Sequence, residues 1–494
     1  MIALGIDSGT QSTKTLALDL ESGELLAESR GSYQLVGGLP PGHMEQHPGD
    51  WWQAFTRTME DCLQQLGERR REVVGIGVSG QQHGLVVLDE RDEVLRPAKL
   101  WCDTSTTQEC QLFAEAFGGD EGLIALAGNP ILPGYTAPKI LWMKRQEPEV
   151  FARIASVLLP HDYLNFKLTG KKRMEYGDAS GTGLLNLRSR RWQKELVDFI
   201  DPALGEALPS VGSSREALGL LSPDLAEGWG LSDSVVVSAG GGDNMMGAIG
   251  TGLVCQGVMT ASLGTSGTLY GVSESPVIDP EGEVAAFCDS NDQWLPLVCT
   301  MNVTVTTEAM RSLFALSLPE LEAAVSASPR GAEGLCLLPY LTGERTPNLP
   351  QGSGVLHGLT PANLTQENLA RAAAEGATLG LAYGLNRFRA LGVNPSEIRL
   401  TGGGSQSPAW RQICADAFGA EVVCLQTTEG AALGAAMQGG VAAGVGDLES
   451  FCERFVKPDE GTRTAPQEEG ISFYHAQGER LHSLTQSLHR AGHL

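Results

Sequence analysis

The ten cysteines of this sequence include no CxxC pair, and no His and Cys residues sit at zinc-ligand spacing. Structural zinc sites and dithiol redox chemistry are therefore excluded, and the cysteines read as small apolar residues of a reducing cytosol. No apolar run approaches the ~20 residues needed to cross a bilayer. No basic leader precedes an apolar stretch at the start, so the expected location is cytoplasmic. The sequence has no GxxxxGK[ST] loop, and no GxGxxG follows a strand pattern, which removes the two commonest nucleotide-binding folds. Positive charge is also scarce: 35 Lys and Arg stand against 59 Asp and Glu, a net charge of −24. Nucleic acid is excluded as a partner, because its binding needs a basic face that releases counterions. Anionic membranes are excluded on the same ground. A phosphate-bearing ligand must then be held locally, by backbone amides and a metal ion.

What the chain has in quantity is length and glycine. Its 494 residues exceed what one core accommodates. Two domains of similar size are expected, divided as 1–234 and 235–494. The 62 glycines fall in short turns rather than tracts. This distribution points to an α/β enzyme with many backbone contacts to ligands. Ile2 to Asp7 reads as a strand, Ser8 to Thr13 as a polar turn, and Lys14 to Leu20 as a second strand. Asp50 to Leu66 has helical spacing, with Trp51, Phe55, Met59, Cys62 and Leu66 on one side. Val73 to Ser79 is a buried strand broken by Gly80–Gly84, and Thr136–Arg145 and Asp162–Thr169 read as helices. In the second half, Val235–Asn244 runs from strand through a glycine turn to a helix entry. Gly257–Gly271 is a pair of strands around Gly264-Thr265-Ser266. Ile398–Gly404 is a strand entering a glycine turn, followed by a helix from Pro408 to Phe418. The hairpin at Ile6–Leu18 is echoed by the one at Ala261–Tyr270, so each half carries a tight turn aiming amides and hydroxyls outward.

Several residues have the chemistry for a site. Asp7, at a strand end against a glycine turn, is suited to Mg²⁺, or else to capping its own turn. Gly9, Thr10 and Thr13 offer amides and hydroxyls, and Lys14 offers positive charge. Asp243 follows three glycines where a helix begins. It is placed to act as a general base on a substrate hydroxyl, or as a helix cap. The three glycines allow a ligand to approach the backbone, and Asn244 beside them offers hydrogen bonds. Gln82 and His83, between Gly80 and Gly84, form a polar loop in an apolar strand. Asp103 follows Trp101 at the end of another short strand. Gly402 to Ser405 is flat backbone suited to adenine or ribose, or simply a tight turn.

Taken in order, nine segments resemble the FGGY carbohydrate kinases over nearly the whole chain. They are GIDSGTQSTK (5–14), EQHPGDWW (45–52), SGQQHGLVVLD (79–89), GYTAPKILWMKRQ (134–146) and GGGDNMMGAIG (240–250). SLGTSG (262–267), LPYLTGERTP (338–347), GVLHGLTPANLTQENLARAAAEG (354–376) and TGGGSQS (401–407) complete the set. The resemblance implies an α/β chain with the two-domain actin-like/hexokinase-like (ribonuclease H-like) fold, ATP and sugar meeting in the interdomain cleft. It implies Asp243 as proton acceptor and Asp7 as the carboxylate near Mg²⁺. Gln82, His83, Asp103 and Asn244 would face the sugar. Gly9, Thr10, Thr13 and Lys14 would surround the nucleotide, together with Gly264, Thr265, Ser266, Gly403 and Ser407.

Within the family, QHG after SG and the YTAPKILW segment are most similar to xylulokinases, which implies phosphorylation of D-xylulose at O5. Two departures touch the sugar side. Many bacterial xylulokinases follow the Trp with Asn-Asp-x-Arg, whereas this chain reads Trp101-Cys102-Asp103-Thr104-Ser105, without the arginine. Gln82 stands where bacterial relatives often have Met. D-Ribulose, L-xylulose and glycerol are the alternative acceptors, and a non-catalytic ATP-binding protein is the alternative from another class. The expected partners are a small sugar and ATP, with a homodimer allowed.

Overall fold

The computed structural model describes residues 1–427 and 429–494. Its first sheet is built from β1 (Ile2–Ser8), β2 (Ser12–Asp19), β3 (Leu25–Ser32), β4 (Val73–Gly80), β5 (Ala217–Leu220), β6 (Val236–Ser238) and β7 (Gly241–Gly242). The order is β5-β6-β4-β1-β2-β3, with β7 also on β4. β1 runs antiparallel to β2 and parallel to β4, which sets Asp7 opposite Lys14 on one side and Ser79 on the other. β1 is apolar on both faces (Ile2, Ala3, Leu4 and Ile6 are all buried), as a central strand covered by helices requires. The covering helix α1 (Pro48–Leu66) buries Trp51, Phe55, Met59, Cys62 and Leu66, the stripe its periodicity predicts.

A second sheet repeats the plan. It comprises β8 (Val258–Leu263), β9 (Gly267–Gly271), β10 (Leu297–Thr300), β11 (Glu397–Thr401), β12 (Glu421–Leu425) and β13 (Pro458–Thr464), in the order β10-β9-β8-β11-β12-β13. Again the first strand is antiparallel to the second and parallel to the fourth. An outer strand antiparallel to its neighbour closes each sheet, β5 on β6 and β13 on β12. The two hairpins echoed in the sequence thus occupy equivalent places in two ribonuclease H-like units, and the two-domain α/β fold is the one expected. The first sheet takes in β6 and β7, strands that lie past residue 234.

Between the halves lie two helices, α4 (Asp243–Gly250) and α7 (Gly430–Ala442). The sequence of α7, GAALGAAMQGGVA, is mostly glycine and alanine. It lies directly on β1 and β4 because those strands carry glycine at the points of contact. A Cβ on Gly5 would fall 2.0 Å from the carbonyl oxygen of Ala432, and one on Gly77 1.9 Å from that of Ala435. Part of the glycine content therefore serves helix-on-sheet packing rather than ligand contact. Leu16, Leu18, Met246, Ile249, Leu433 and Met437 join in one core across the halves. No helix among the described residues is long and apolar enough to cross a membrane.

Candidate active site

Asp243 is the first residue of α4, with extended Gly242 at the N-cap. Its Oδ1 accepts from the Asn244 backbone N–H (2.8 Å) and from Asn244 Nδ2 (3.0 Å), while Asn244 Nδ2 also donates to Gln82 Oε1 (2.7 Å). Oδ2 has no partner among the described residues. Burial, and after it the charges of Asp7 and Asp178, push the Asp243 carboxyl up to about 7. One oxygen is thus fixed and the other is free, on a group half-ionised near neutrality. That is what a general base needs. The three preceding glycines have a different reason from the one the sequence suggests. A Cβ on Gly240 would strike Asn165 Nδ2 and the His161 ring, one on Gly241 the Ser290 hydroxyl, and one on Gly242 the Gln82 side chain. They admit the protein's own side chains.

Gln82 and His83 sit in the loop after β4. His83 holds a positive φ of 62°, and its ring packs against Gly181, Tyr135 and Phe287. Burial, with Lys139 and Arg345 nearby, holds His83 well below its ordinary pKa, so the imidazole is neutral. The loop is anchored from beneath by Lys139, whose Nζ donates to the carbonyls of His83 and Gly134, each at 2.7 Å. Burial lowers Lys139 to about 7.

These residues share one cavity of about 290 Å³, lined by Gln82, His83, Asp243 and Asn244 together with Trp101, Tyr135, Phe287 and Arg345. Ser262, Ser266 and Thr268 reach it from the second hairpin. The first hairpin turn lies close by, since Trp101 Nε1 donates to Thr10 Oγ1 at 3.0 Å. Asp7 accepts from Ser79 Oγ at 2.9 Å. Burial, with Glu429 adding, raises Asp7 to about 6 against the opposing Ser79 bond and Lys14.

A second cavity, of about 470 Å³, is lined by Gly403, Gly404, Ser407, Thr304, Glu322 and Trp410 among others. The Gly264–Ser266 turn connects the two. Its Gly264 and Thr265 carbonyls accept from the backbone N–H groups of Thr304 (2.8 Å) and Val303 (3.0 Å). Gly402, at φ 82° and ψ 172°, presses against the Leu263–Gly264 peptide: a Cβ there would lie 2.7 Å from the Leu263 carbonyl. A polar cavity with a free carboxylate, two glycine turns and a second cavity beyond them is the layout of a phosphoryl-transfer cleft.

The N-terminal domain of the FGGY family of carbohydrate kinases matches residues 2–250, and the family's C-terminal domain matches residues 259–443. The chain belongs to the FGGY family of carbohydrate kinases. It is accordingly an enzyme that transfers phosphate to a sugar alcohol group. A xylulose kinase of Haemophilus influenzae is 42% identical over 483 residues, covering 97% of this chain and 98% of that protein. Among solved structures, one described as a xyloylose kinase from Brucella ovis superposes with a TM-score of 0.93 at 32% identity, covering 99% of this chain and 100% of that one. A gluconate kinase from Lactobacillus acidophilus superposes with a TM-score of 0.92 at 25% identity, covering 99% and 98%. Shape alone does not distinguish acceptors within the FGGY kinases.

Not every residue expected at this FGGY site reaches it. Asp103 is fully buried and does not line the sugar-side cavity. Its oxygens accept from the Met44 N–H (2.9 Å), Lys99 Nζ (3.1 Å) and the Ser105 N–H (3.0 Å), so the carboxylate closes an internal ion pair rather than facing a sugar. Thr13 is also buried, its hydroxyl donating to Ser8 Oγ at 3.2 Å. Lys14 Nζ pairs with Glu429 (2.7 Å) and Glu28 (3.3 Å). Ser407 caps α6 (Pro408–Phe418), accepting from the Trp410 N–H at 3.0 Å, and its hydroxyl donates to Glu322. Gly9 is held by its own N–H to Ser12 and by Tyr33, whose hydroxyl donates to the Gly9 carbonyl. The residue overlooked is Arg345. It stands within the family-like segment LPYLTGERTP, but nothing in that segment's local pattern says that its loop folds back to the sugar cavity.

Proposed function

We propose that this chain is an ATP-dependent kinase that phosphorylates the terminal hydroxyl, O5, of D-xylulose. The carrying observation is the Asp243 carboxylate, with one oxygen held by Asn244 and the other free in a polar cavity shared with Gln82 and His83. The 42% identity to the Haemophilus influenzae xylulose kinase over almost the whole chain supports the choice of sugar. Asp243 accepts the O5 proton as the phosphoryl group moves across, and Asn244 and Gln82 hold the carboxylate in aim. Neutral His83 and Gln82 supply polar contacts that a three-carbon polyol leaves unfilled. Buried groups without partners cost about 1–3 kcal/mol each, which disfavours glycerol. The nucleotide lies across the Gly264–Ser266 turn, its base in the cavity lined by Gly403, Gly404 and Trp410.

Asp7 would hold Mg²⁺. The donor set fits a hard cation: Asp7 is a buried carboxylate with Glu429 adding negative charge, its own charge reaches Asp243, and Lys14 is already paired. Bound there, Mg²⁺ would neutralise phosphate oxygens during transfer. The test is a coupled ADP-release assay over D-xylulose, D-ribulose, L-xylulose, glycerol and D-gluconate. D-Xylulose should give the highest kcat/KM. A clear preference for another acceptor would remove the D-xylulose reading and leave the carbohydrate-kinase assignment standing.

A further inference from the structure

Arg345 is the one cationic group lining the sugar cavity among the described residues. It enters from the C-terminal half, stacked over the Trp101 indole at 5.7 Å from the ring centroid and beside the Cys299 thiol. It takes part in none of the arginine ion pairs of the described residues. Neighbouring Glu344 is turned away, accepting from the Met301 N–H (2.6 Å) and Asn302 Nδ2 (3.1 Å). Glu283, also on the cavity wall, is held by the Tyr383 hydroxyl (2.8 Å) and Arg387 (3.1 Å). A half-buried guanidinium with no carboxylate partner, facing a cavity of substrate size, calls for an acceptor on the ligand.

The chemistry of the acceptor supplies one. A 2-ketopentose closes its furanose ring through O5, so a molecule phosphorylated at O5 must be bound open-chain, with its C2 carbonyl free. That carbonyl accepts hydrogen bonds and donates none, unlike every hydroxyl around it. Arg345 differs from the other donors at the cavity in its charge. Asn244 Nδ2 bonds Gln82 and Asp243. His83 Nδ1 and Gln82 Nε2 are buried without a hydrogen-bond partner, but both belong to neutral groups suited to hydroxyls. Arg345 donates only and is permanently charged.

We propose that Arg345 recognises the C2 carbonyl of the open-chain ketose and so sets the preference for ketoses over alditols. The proposal rests on the ketopentose reading above. It assigns to the C-terminal half the cation that the loop after Trp101 lacks.

The test compares D-xylulose with xylitol and D-arabitol, the two alditols that differ from it only at C2. The alditols are measured as substrates or as competitive inhibitors. Arg345→Met should raise the KM for D-xylulose by about 10- to 100-fold, the usual scale of one hydrogen bond to a charged donor, with a smaller change in kcat. Alditol constants should move less than about threefold on the same scale. Arg345→Lys, which keeps the charge and the stacking volume, should recover part of the loss. Circular dichroism and the KM for ATP report whether either variant folds. Equal losses on ketose and alditols would overturn the proposal. So would a fall in kcat at unchanged KM, which would place Arg345 on the transferring phosphate. If the wild-type enzyme prefers D-gluconate in the same assays, the ketopentose reading and this proposal fall together. If D-xylulose is preferred but Arg345→Met shows no selectivity, only this proposal falls.

Discussion

The two cavities flanking the Gly264–Ser266 turn are made in opposite ways. The sugar side is a wall of side chains from distant segments: Gln82 and His83 after β4, Trp101, Tyr135, Asp243 and Asn244 at the start of α4, and Arg345 from the other half. On the proposed nucleotide side, several of the hydroxyls and the ammonium that a sequence reader would aim at phosphate already have partners within the protein. Thr10 accepts from Trp101, Thr13 donates to Ser8, Lys14 is paired with two glutamates, and Ser407 joins Trp410 to Glu322. On that reading, glycine backbone and the hydroxyls of the Gly264–Ser266 turn carry most of the contact to the nucleotide. The lesson concerns substitution. The sugar side should be sensitive to what a side chain is, and the nucleotide side to whether the main chain can hold its path.

The largest effect should come from Asp243. Asp243→Ala should lower kcat by roughly 10²–10⁴-fold, the contribution of a positioned acid or base, with the KM for ATP little changed. In the wild type, kcat should fall as pH drops below about 7, where the carboxyl becomes protonated. The same shift has a sign for stability. The folded pKa of about 7 lies above the ordinary 3.8, so the favourable contribution of the protonated group is complete below 3.8 and lost as pH rises through 7. Asp243→Asn should therefore melt higher than the wild type at pH 8 and not at pH 4. Wild-type turnover in Asp243→Ala would place the base elsewhere and end the contrast between the two cavities.

Much of this site was open to reading because its side-chain logic is local. Asp243 and Asn244 follow a glycine turn at a helix entry, and Gln82-His83 interrupts an apolar strand; both patterns mark polar atoms brought to an edge. The paired hairpins, too, followed from strand alternation around short polar turns. What sequence could not show was direction. Asp103 reads from the sequence as a strand end near a tryptophan, yet the strand stops at Lys99, four positions earlier, and Lys99 is fully buried with Asp103 as its partner. The turn threonine Thr13 points inward because β2 alternates that way from Ser12. Helix α7 was hidden by composition: four glycines in 13 residues argue against a helix. Only the matching glycines on β1 and β4 make its close packing favourable. Arg345 depended on a long-range return of the chain that no local pattern encodes.

Gly402 tests the main-chain half of the comparison. At φ 82° and ψ 172° it occupies a region open almost only to glycine, and its Cβ position lies 2.7 Å from the Leu263 carbonyl and 2.9 Å from the Gly264 nitrogen. Gly402→Ala must shift the Gly264–Ser266 turn or absorb about 1–3 kcal/mol of strain. The KM for ATP should rise by about 5- to 150-fold on that scale, while the KM for D-xylulose stays within a few-fold. Isothermal titration with a non-hydrolysable ATP analogue checks the binding term directly. A larger loss on the sugar than on the nucleotide would show that this turn belongs to the other cavity.

Ser407 should give the smallest effect, and it is the sharper control because it lines the nucleotide cavity with a hydroxyl. That hydroxyl accepts from the Trp410 N–H as the N-cap of α6 and gives its proton to Glu322, which also accepts from the Ala409 N–H at 3.1 Å. Its donor capacity is therefore used inside the protein, and none remains for a phosphate or ribose oxygen. Ser407→Ala removes a helix cap, which costs about 1 kcal/mol, so thermal unfolding should shift down slightly. The KM for ATP should move less than about threefold, below the effect of one lost hydrogen bond to a ligand. Ser407→Gly should behave still more mildly, since glycine is itself tolerated at an N-cap. If Ser407→Ala instead raises the KM for ATP tenfold with no change in melting temperature, the hydroxyl serves the nucleotide. The nucleotide side would then be read by side chains, just as the sugar side is.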